Sequence, residues 1–312
     1  VKSFEKQRHI DRIGTAAIIT TAVCWMTGPL FIRYLTGYLD AWSQNLWRYT
    51  VAMIFWLPFL FMALRQGRAG ATLWKKALWP SIPNVLMQSL WAWGFYFIEP
   101  GFASLLSKSS LLWTAGFCLI YFPDERGLIY SKRFWLGIGL SITGVIMVIV
   151  NKEAFTAKAN LTGIIIMLSA AAMWSVYTIS MRIAFKGVDP RLGYSVVCVY
   201  TVGALAVLAL LCGNPAKVAS LEAWPLACVV ISGILCMAFG HTAYYTAVQR
   251  LGATIPALIL QASPFGILLF SMIFFDERLN LWQWIGGLVL IGGSVMAVMA
   301  QGHLRKIGEG PG

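Results

Sequence analysis

The chain is short of charge, and of acid above all. Only 12% of its 312 residues are charged and only 12 are Asp or Glu, about half the charge of an ordinary soluble domain. No carboxylate lies deep in a long apolar run; the nearest, Glu99, sits at the edge of one. Paired buried aspartates for catalysis are therefore missing. So is the deep protonatable carboxylate that a proton antiporter ordinarily uses. Histidine is scarce: His9, His241 and His303 are too few and too scattered for a metal centre. The six cysteines (Cys24, Cys118, Cys198, Cys212, Cys228 and Cys236) form no CxxC pair and all lie in apolar segments. There Cys acts as a small hydrophobe, so neither a disulfide framework nor a zinc site is expected. No GxxxxGK[ST] phosphate loop is present, and no loop is long enough for an ATPase domain. The net charge of +12 comes with no nucleic-acid-binding motif. These absences leave no expected cofactor, no metal and no enzyme activity.

What is present is apolar length. Hydrophobic residues make up 59% of the chain and the mean hydropathy is +0.72. Crossing a bilayer takes about 20 mostly apolar residues. Ten such segments can be drawn: 14–36, 42–64, 78–98, 102–122, 134–151, 161–182, 191–212, 222–247, 253–275 and 282–301. The first, preceded by Lys2, Lys6, Arg8 and Arg12, has no clear small-x-small cleavage site. It is expected to be a membrane helix rather than a leader.

The chain also repeats itself. Gly14, Trp25, Arg33 and Asp40 recur at one constant interval as Gly163, Trp174, Arg182 and Asp189. Later in each half come Asp124-Glu125-Arg126 and Asp276-Glu277-Arg278. Each is followed by Trp-x-Gly and a second Gly seven positions on: Trp135, Gly137 and Gly144, then Trp284, Gly286 and Gly293. This is a tandem duplication of a unit of about 150 residues. The units are residues 1–150 and 161–303, joined by a polar linker 151–160 and followed by a tail 304–312. With five spans in each, the second must enter the membrane from the opposite side. The expected fold is therefore an all-α integral membrane protein of ten transmembrane helices, two inverted five-helix repeats around a central cavity. Lys and Arg concentrate on the side that holds both termini and the even-numbered loops, which predicts cytoplasmic termini.

A transport cavity needs polar groups at membrane depth. In the third span Asn84, Gln88, Trp91 and Phe95 form one helical stripe, suited to a hydrogen-bonded seam or to a cavity wall. Lys108 near the middle of the fourth span must be hydrated, carbonyl-bound or paired with a ligand. His241, Tyr244 and Tyr245 share a face of the eighth span, and His241 suits a structural bridge or a proton site equally. Gln261 and Ser263 lie in the ninth span with Pro256 and Pro264. These prolines free carbonyls at depth, where a helix kinks or lines a cavity. Trp25, Trp113 and Trp174, with Tyr177 beside the last, are deep rings that suit packing or the stacking of an aromatic solute. Arg33 and Arg182, each at the end of the first span of its half, are helix anchors or gates. The glycine pairs of the fifth and tenth spans suit close helix packing.

The strings FFDERLNLWQWIGGLVLIGG and FPDERGLIYSKRFWLGIGLSITG, with Arg48 in NLWRYTVAM, give the chain its family likeness. It resembles the EamA-type members of the drug/metabolite transporter superfamily over nearly its whole length, and within that group looks most like the bacterial aromatic amino acid exporters. The resemblance implies a ten-helix basket, with spans 1, 3, 4, 6, 8 and 9 around a central cavity and spans 5 and 10 peripheral. The reading is a secondary transporter of the bacterial inner membrane exporting aromatic or hydrophobic amino acids. Its expected partners are a small-molecule solute and membrane lipids, not nucleic acid, and the expected state is a monomer. The alternatives are proton-coupled export of organic cations or other metabolites and, from another class, a channel or membrane enzyme.

Overall fold

In chain order the helices are α1 (Arg12–Leu35), α2 (Ala41–Arg65), α3 (Ala71–Gly94), α4 (Pro100–Ser107), α5 (Ser110–Tyr121), α6 (Lys132–Val150), α7 (Lys158–Ala184) and α8 (Pro190–Cys212). A short 3-10 turn (Pro215–Ser220) follows, then α9 (Ala223–Ser232), which passes through a π-helical stretch (Gly233–Phe239) into α10 (Gly240–Leu251). The last two are α11 (Ser263–Phe275) and α12 (Leu281–Gly308). They come from a computed structural model that describes residues 11–121, 130–150, 158–251, 256 and 259–308. Asp124-Glu125-Arg126 and most of the linker lie outside the described residues. Among those described there is no strand.

Aspartate starts three of these helices by taking free N–H groups of the first turn. Asp11 Oδ1 accepts from Gly14 N at 2.9 Å, and Asp40 Oδ1 accepts from Trp42 N and Ser43 N. Asp189 Oδ1 accepts from Arg191 N at 2.9 Å, with Pro190 in the first turn. Asp40 and Asp189 are the duplicated pair, so the repeat carries its own helix start.

Among the described residues six helices are long and apolar enough to cross a membrane: Arg12–Leu35, Ala41–Arg65, Lys132–Val150, Leu161–Ala184, Pro190–Cys212 and Ala223–Leu251. The other expected spans fall short for readable reasons. α3 has the length but carries Lys75 and Lys76 as well as Asn84 and Gln88. The fourth span is broken in two at Lys108 and Ser109. The apolar stretches in α11 and α12 are shorter (Ser263–Phe275 and Leu281–Ala297). Large apolar side chains face outward on many helices, among them Trp79, Leu211, Ile273 and Phe274, as lipid contact requires.

The helices pair across the two halves: α1 with α10, α3 with α7, α2 with α8, α4 with α11 and α6 with α12. Exchanging the halves maps this set of pairs onto itself. α6 and α12 run antiparallel through their glycines. A Cβ on Gly137 would lie 2.7 Å from Gly293 O and Ala297 N, and one on Gly144 2.6 Å from Gly286 O. Between them Ser141 Oγ and Ser294 Oγ hydrogen-bond at 3.2 Å. The glycine stripes do serve close backbone approach.

α2 and α8 also run antiparallel. Asp40 Oδ2, at the start of α2, accepts from Asn214 N just beyond the end of α8 at 2.9 Å. Burial opposes the charge of Asp40, but the N–H groups of Asn214 and Ser43 outweigh it and hold this carboxyl below the usual carboxylate range. At the far end of the same pair, the guanidinium groups of Arg68 and Arg191 both lie over the Phe59 ring. Asp11 and Arg250 pair at 3.2 Å at the start of α1, whereas Arg33 lies in its last turn and Asp40 beyond that end.

Candidate functional site

Three helices lose their regular hydrogen bonding on the inside of the bundle. Between α4 and α5 the chain turns at Lys108 and Ser109, and Lys108 Nζ donates to Leu260 O at 2.7 Å and Ser263 Oγ at 2.8 Å. Those acceptors lie where α11 starts, with Pro264 in its first turn. Across from them the π-helical stretch frees carbonyls that accept side-chain donors. Trp25 Nε1 donates to Cys236 O at 3.2 Å, Trp56 Nε1 to Ala238 O at 3.3 Å and Thr21 Oγ1 to Gly240 O at 3.4 Å. Glycine is needed here for space: a Cβ on Gly233 would lie 2.8 Å from Arg48 O, and one on Gly240 2.6 Å from Trp25 Nε1.

These irregular segments surround a cavity of about 250 Å³, just under the roughly 300–1,000 Å³ of sites for drug-sized ligands. One wall is aromatic. The Trp25 ring meets Trp174 edge-on at 5.3 Å and lies 5.1 Å from both His241 and Tyr244; Trp174 and Tyr244 are 5.8 Å apart. Behind this wall Tyr194 stacks on His241 at 5.2 Å. The lining also includes the polar residues Gln88, Ser107, Lys108, Thr114, Gln261 and Ser263. Arg48, Lys108 and Arg182 bring three basic groups to the lining, and no Asp or Glu among the described residues joins them.

Of the residues picked out by sequence, Trp25, Gln88, Trp91, Lys108, Trp174, His241, Tyr244, Gln261 and Ser263 come together on this cavity. Four others do not line it. Asn84 belongs to a buried seam, donating to Thr201 Oγ1 at 2.9 Å with the Tyr49 hydroxyl alongside. Tyr177 and Tyr245 bond to one another through their hydroxyls behind the wall. Trp113 turns outward, 43% exposed and stacked on Phe117. Adjacent helical positions point about 100° apart, so Tyr244 and Tyr245 part company, whereas Asn84 shares the face of Gln88 one turn away and lies beyond the cavity.

Among the gate candidates Arg182 lines the cavity, whereas Arg33 ties helix ends together. Its guanidinium donates to Phe95 O at 2.9 Å and Glu99 Oε1 at 2.5 Å. Pro256 and Pro264 are buried but off the lining. Glu277 is mostly buried and receives Gly101 N at 2.7 Å, Phe102 N at 2.8 Å and Ser271 Oγ at 2.5 Å. It thus caps α4 from another part of the chain. No three His, Cys, Asp or Glu side chains among the described residues gather to hold a metal ion.

In the sequence Arg48 stands within the second span and carries part of the family likeness. It is fully buried, lines the cavity and donates from Nε to Ser232 Oγ at 3.0 Å. A lone arginine inside an apolar segment was the available signal, since such a charge is rarely placed without use. The π-helical stretch was not legible at all.

The pattern of the EamA-like transporter family matches residues 12–150 and again 161–299. The inner membrane transporter YhbE of Escherichia coli K12, described as uncharacterized, is 22% identical, with 94% of each chain aligned. The transporter YdfC of Bacillus subtilis, likewise described as uncharacterized, is 23% identical over 72% of this chain and 74% of its own. A solved crystal structure superposes with a TM-score of 0.64 over 94% of this chain and 98% of that one at 16% identity, a likeness of fold alone.

Proposed function

Because the chain belongs to the EamA-like transporter family, we propose that it is a secondary transporter exporting aromatic and other hydrophobic amino acids by alternating access. It is a membrane transporter and not an enzyme. The observation that carries the substrate class is the cavity. Trp25, Trp174, Tyr244 and His241 form a wall for a flat apolar side chain, and the polar groups of the same lining suit a small charged end. Ring contacts of this kind contribute about 0.5–1.5 kcal/mol each beyond area burial. Export of organic cations fits less well, because three basic side chains line the cavity and no carboxylate among the described residues joins them.

The architecture we assign is ten spans in two inverted repeats, 1–150 and 161–303, with the linker 151–160 between and the tail 304–312 after. The antiparallel course of the equivalent helices α6 and α12, and of α2 and α8, supports inversion. The side bearing Asp11, Arg68, Arg191 and Arg250 is assigned to the cytoplasm of a bacterial cell with both termini, because its short connections are rich in Lys and Arg. The opposite end is held by Arg33 on Glu99, which we read as an external gate contact. Movement is down the solute gradient, with His241 the alternative proton site, and one copy suffices.

Counterflow in proteoliposomes tests this reading. Unlabelled internal phenylalanine should accelerate uptake of labelled phenylalanine; a pore or an enzyme gives no such acceleration. Absence of exchange for every aromatic amino acid tried would overturn the substrate class.

A further inference from the structure

We infer that Arg48 is the anchor for the carboxylate of the transported solute, so that the site selects molecules bearing an anionic group beside an apolar body. This rests on the reading of the cavity as the transport site.

Arg48 is 0% exposed; its Nε donates to Ser232 Oγ, and the soft Cys236 sulfur is the other side-chain hydrogen-bonding neighbour of the guanidinium. Nη1 and Nη2 are buried without an oxygen acceptor, on a side chain that lines the cavity. A guanidinium keeps its charge and offers these nitrogens as a flat fork, which matches the two oxygens of a carboxylate. Burying such a group without a counter-charge is costly. Its neighbours offer none: Tyr49, Tyr194 and His241 bring rings, and the Cys236 thiol beside it already donates to Cys24 O at 3.1 Å. A purely structural arginine would place its terminal nitrogens on carbonyls. Lys108 does that with its ammonium, and so is the weaker candidate for reading a substrate anion.

The cavity offers the complementary feature too. Gln88 Oε1 and Gln261 Oε1 are buried acceptors without partners, both on lining residues. Unpartnered donors on Arg48 and unpartnered acceptors on two amides, all on residues that line the cavity with its aromatic wall, form the complement of a zwitterion with an apolar side chain. The duplicated position in the second repeat is Val197, so the duplication does not place a second buried arginine opposite Arg48.

Isothermal titration of the purified full chain in detergent with three probes tests the anchor. Tryptophan carries both charges, indole-3-acetate only the carboxylate and tryptamine only the ammonium. The wild type should bind tryptophan and indole-3-acetate more tightly than tryptamine. Arg48→Gln should weaken the two carboxylates by about tenfold or more while leaving tryptamine unchanged or tighter. Arg48→Lys, which keeps the charge but not the fork, should retain part of the preference and covers the case in which the glutamine variant does not fold. Equal weakening of all three probes, an unchanged preference, or a wild type that favours tryptamine would overturn the anchor. A folded wild type that binds none of the three would defeat the amino acid reading itself, and the anchor with it.

Discussion

Lys108 and Ser263 join two interrupted helices: the lysine Nζ donates to the serine Oγ at 2.8 Å and to Leu260 O at 2.7 Å. The ammonium therefore satisfies backbone and hydroxyl groups exposed by the breaks, a cost that an apolar environment makes large. Replacing it by methionine keeps the length and removes the donors. Lys108→Met should lower stability by about 1.5–3 kcal/mol, read by thermal unfolding in detergent. It should reduce transport of tryptophan and tryptamine to a similar degree. A selective rise in KM for carboxylated solutes would instead give Lys108 the recognition role.

Trp174 meets Trp25, Tyr177, His241 and Tyr244 and faces the cavity. If a bound ring lies against it, Trp174→Leu should raise the apparent KM for phenylalanine or tryptophan about two- to tenfold relative to its effect on leucine. Uniform loss across aromatic and aliphatic solutes would make Trp174 a packing residue only.

The repeat was legible because equal positions in the halves carry costly residues: Asp40 and Asp189 cap helices, and the glycine pairs fill a helix interface. The membrane class followed from the lack of charge. The site was partly legible, since polar and aromatic residues inside apolar runs have few reasons to be there. Sequence alone cannot say which of two neighbouring deep residues faces inward. Tyr244 lines the cavity and Tyr245 stands behind it; Gln88 lines it and Asn84 bonds Thr201. Those outcomes depend on the rotation of packed helices and on depth along them. The irregular stretch from Gly233 had no signal, because its carbonyls are freed by what packs on them, the indole N–H groups of Trp25 and Trp56.

The α6–α12 interface offers a matched comparison. A Cβ on Gly144 would collide with backbone at Leu290 and Gly286, whereas one on Gly139 would meet nothing within 4 Å. Gly144→Ala should therefore lower the unfolding temperature. Gly139→Ala should leave it unchanged or raise it, a helical glycine costing about 0.5–1 kcal/mol relative to alanine. Equal effects at the two positions would show that these helices do not pack through Gly144.

Asp40 gives a pH dependence of known sign. Its carboxyl is held below the unfolded value, so the stability it contributes is present above about pH 4 and is lost as pH falls through the folded value. Asp40→Asn keeps the size and removes the charge. The stability gap between wild type and variant should be full at about pH 6 and shrink as pH falls below about 4. A gap that widens on acidification would contradict the hydrogen bonds from Asn214 and Ser43 as its source.

Inversion makes its sharpest demand on the connections that follow α2 and α8. These helices are equivalent by duplication but antiparallel in space, with Asp40 reaching Asn214 at one end and Arg68 and Arg191 sharing the Phe59 ring at the other. Arg68 and Lys217 should therefore lie on opposite sides of the bilayer. Arg68→Cys should react with a membrane-impermeant maleimide only from the cytoplasmic side and Lys217→Cys only from outside, each tested in a chain with its native cysteines replaced. Labelling of both from one side would mean that the halves enter the membrane in the same direction, and alternating exposure of a shared cavity would lose its geometric basis.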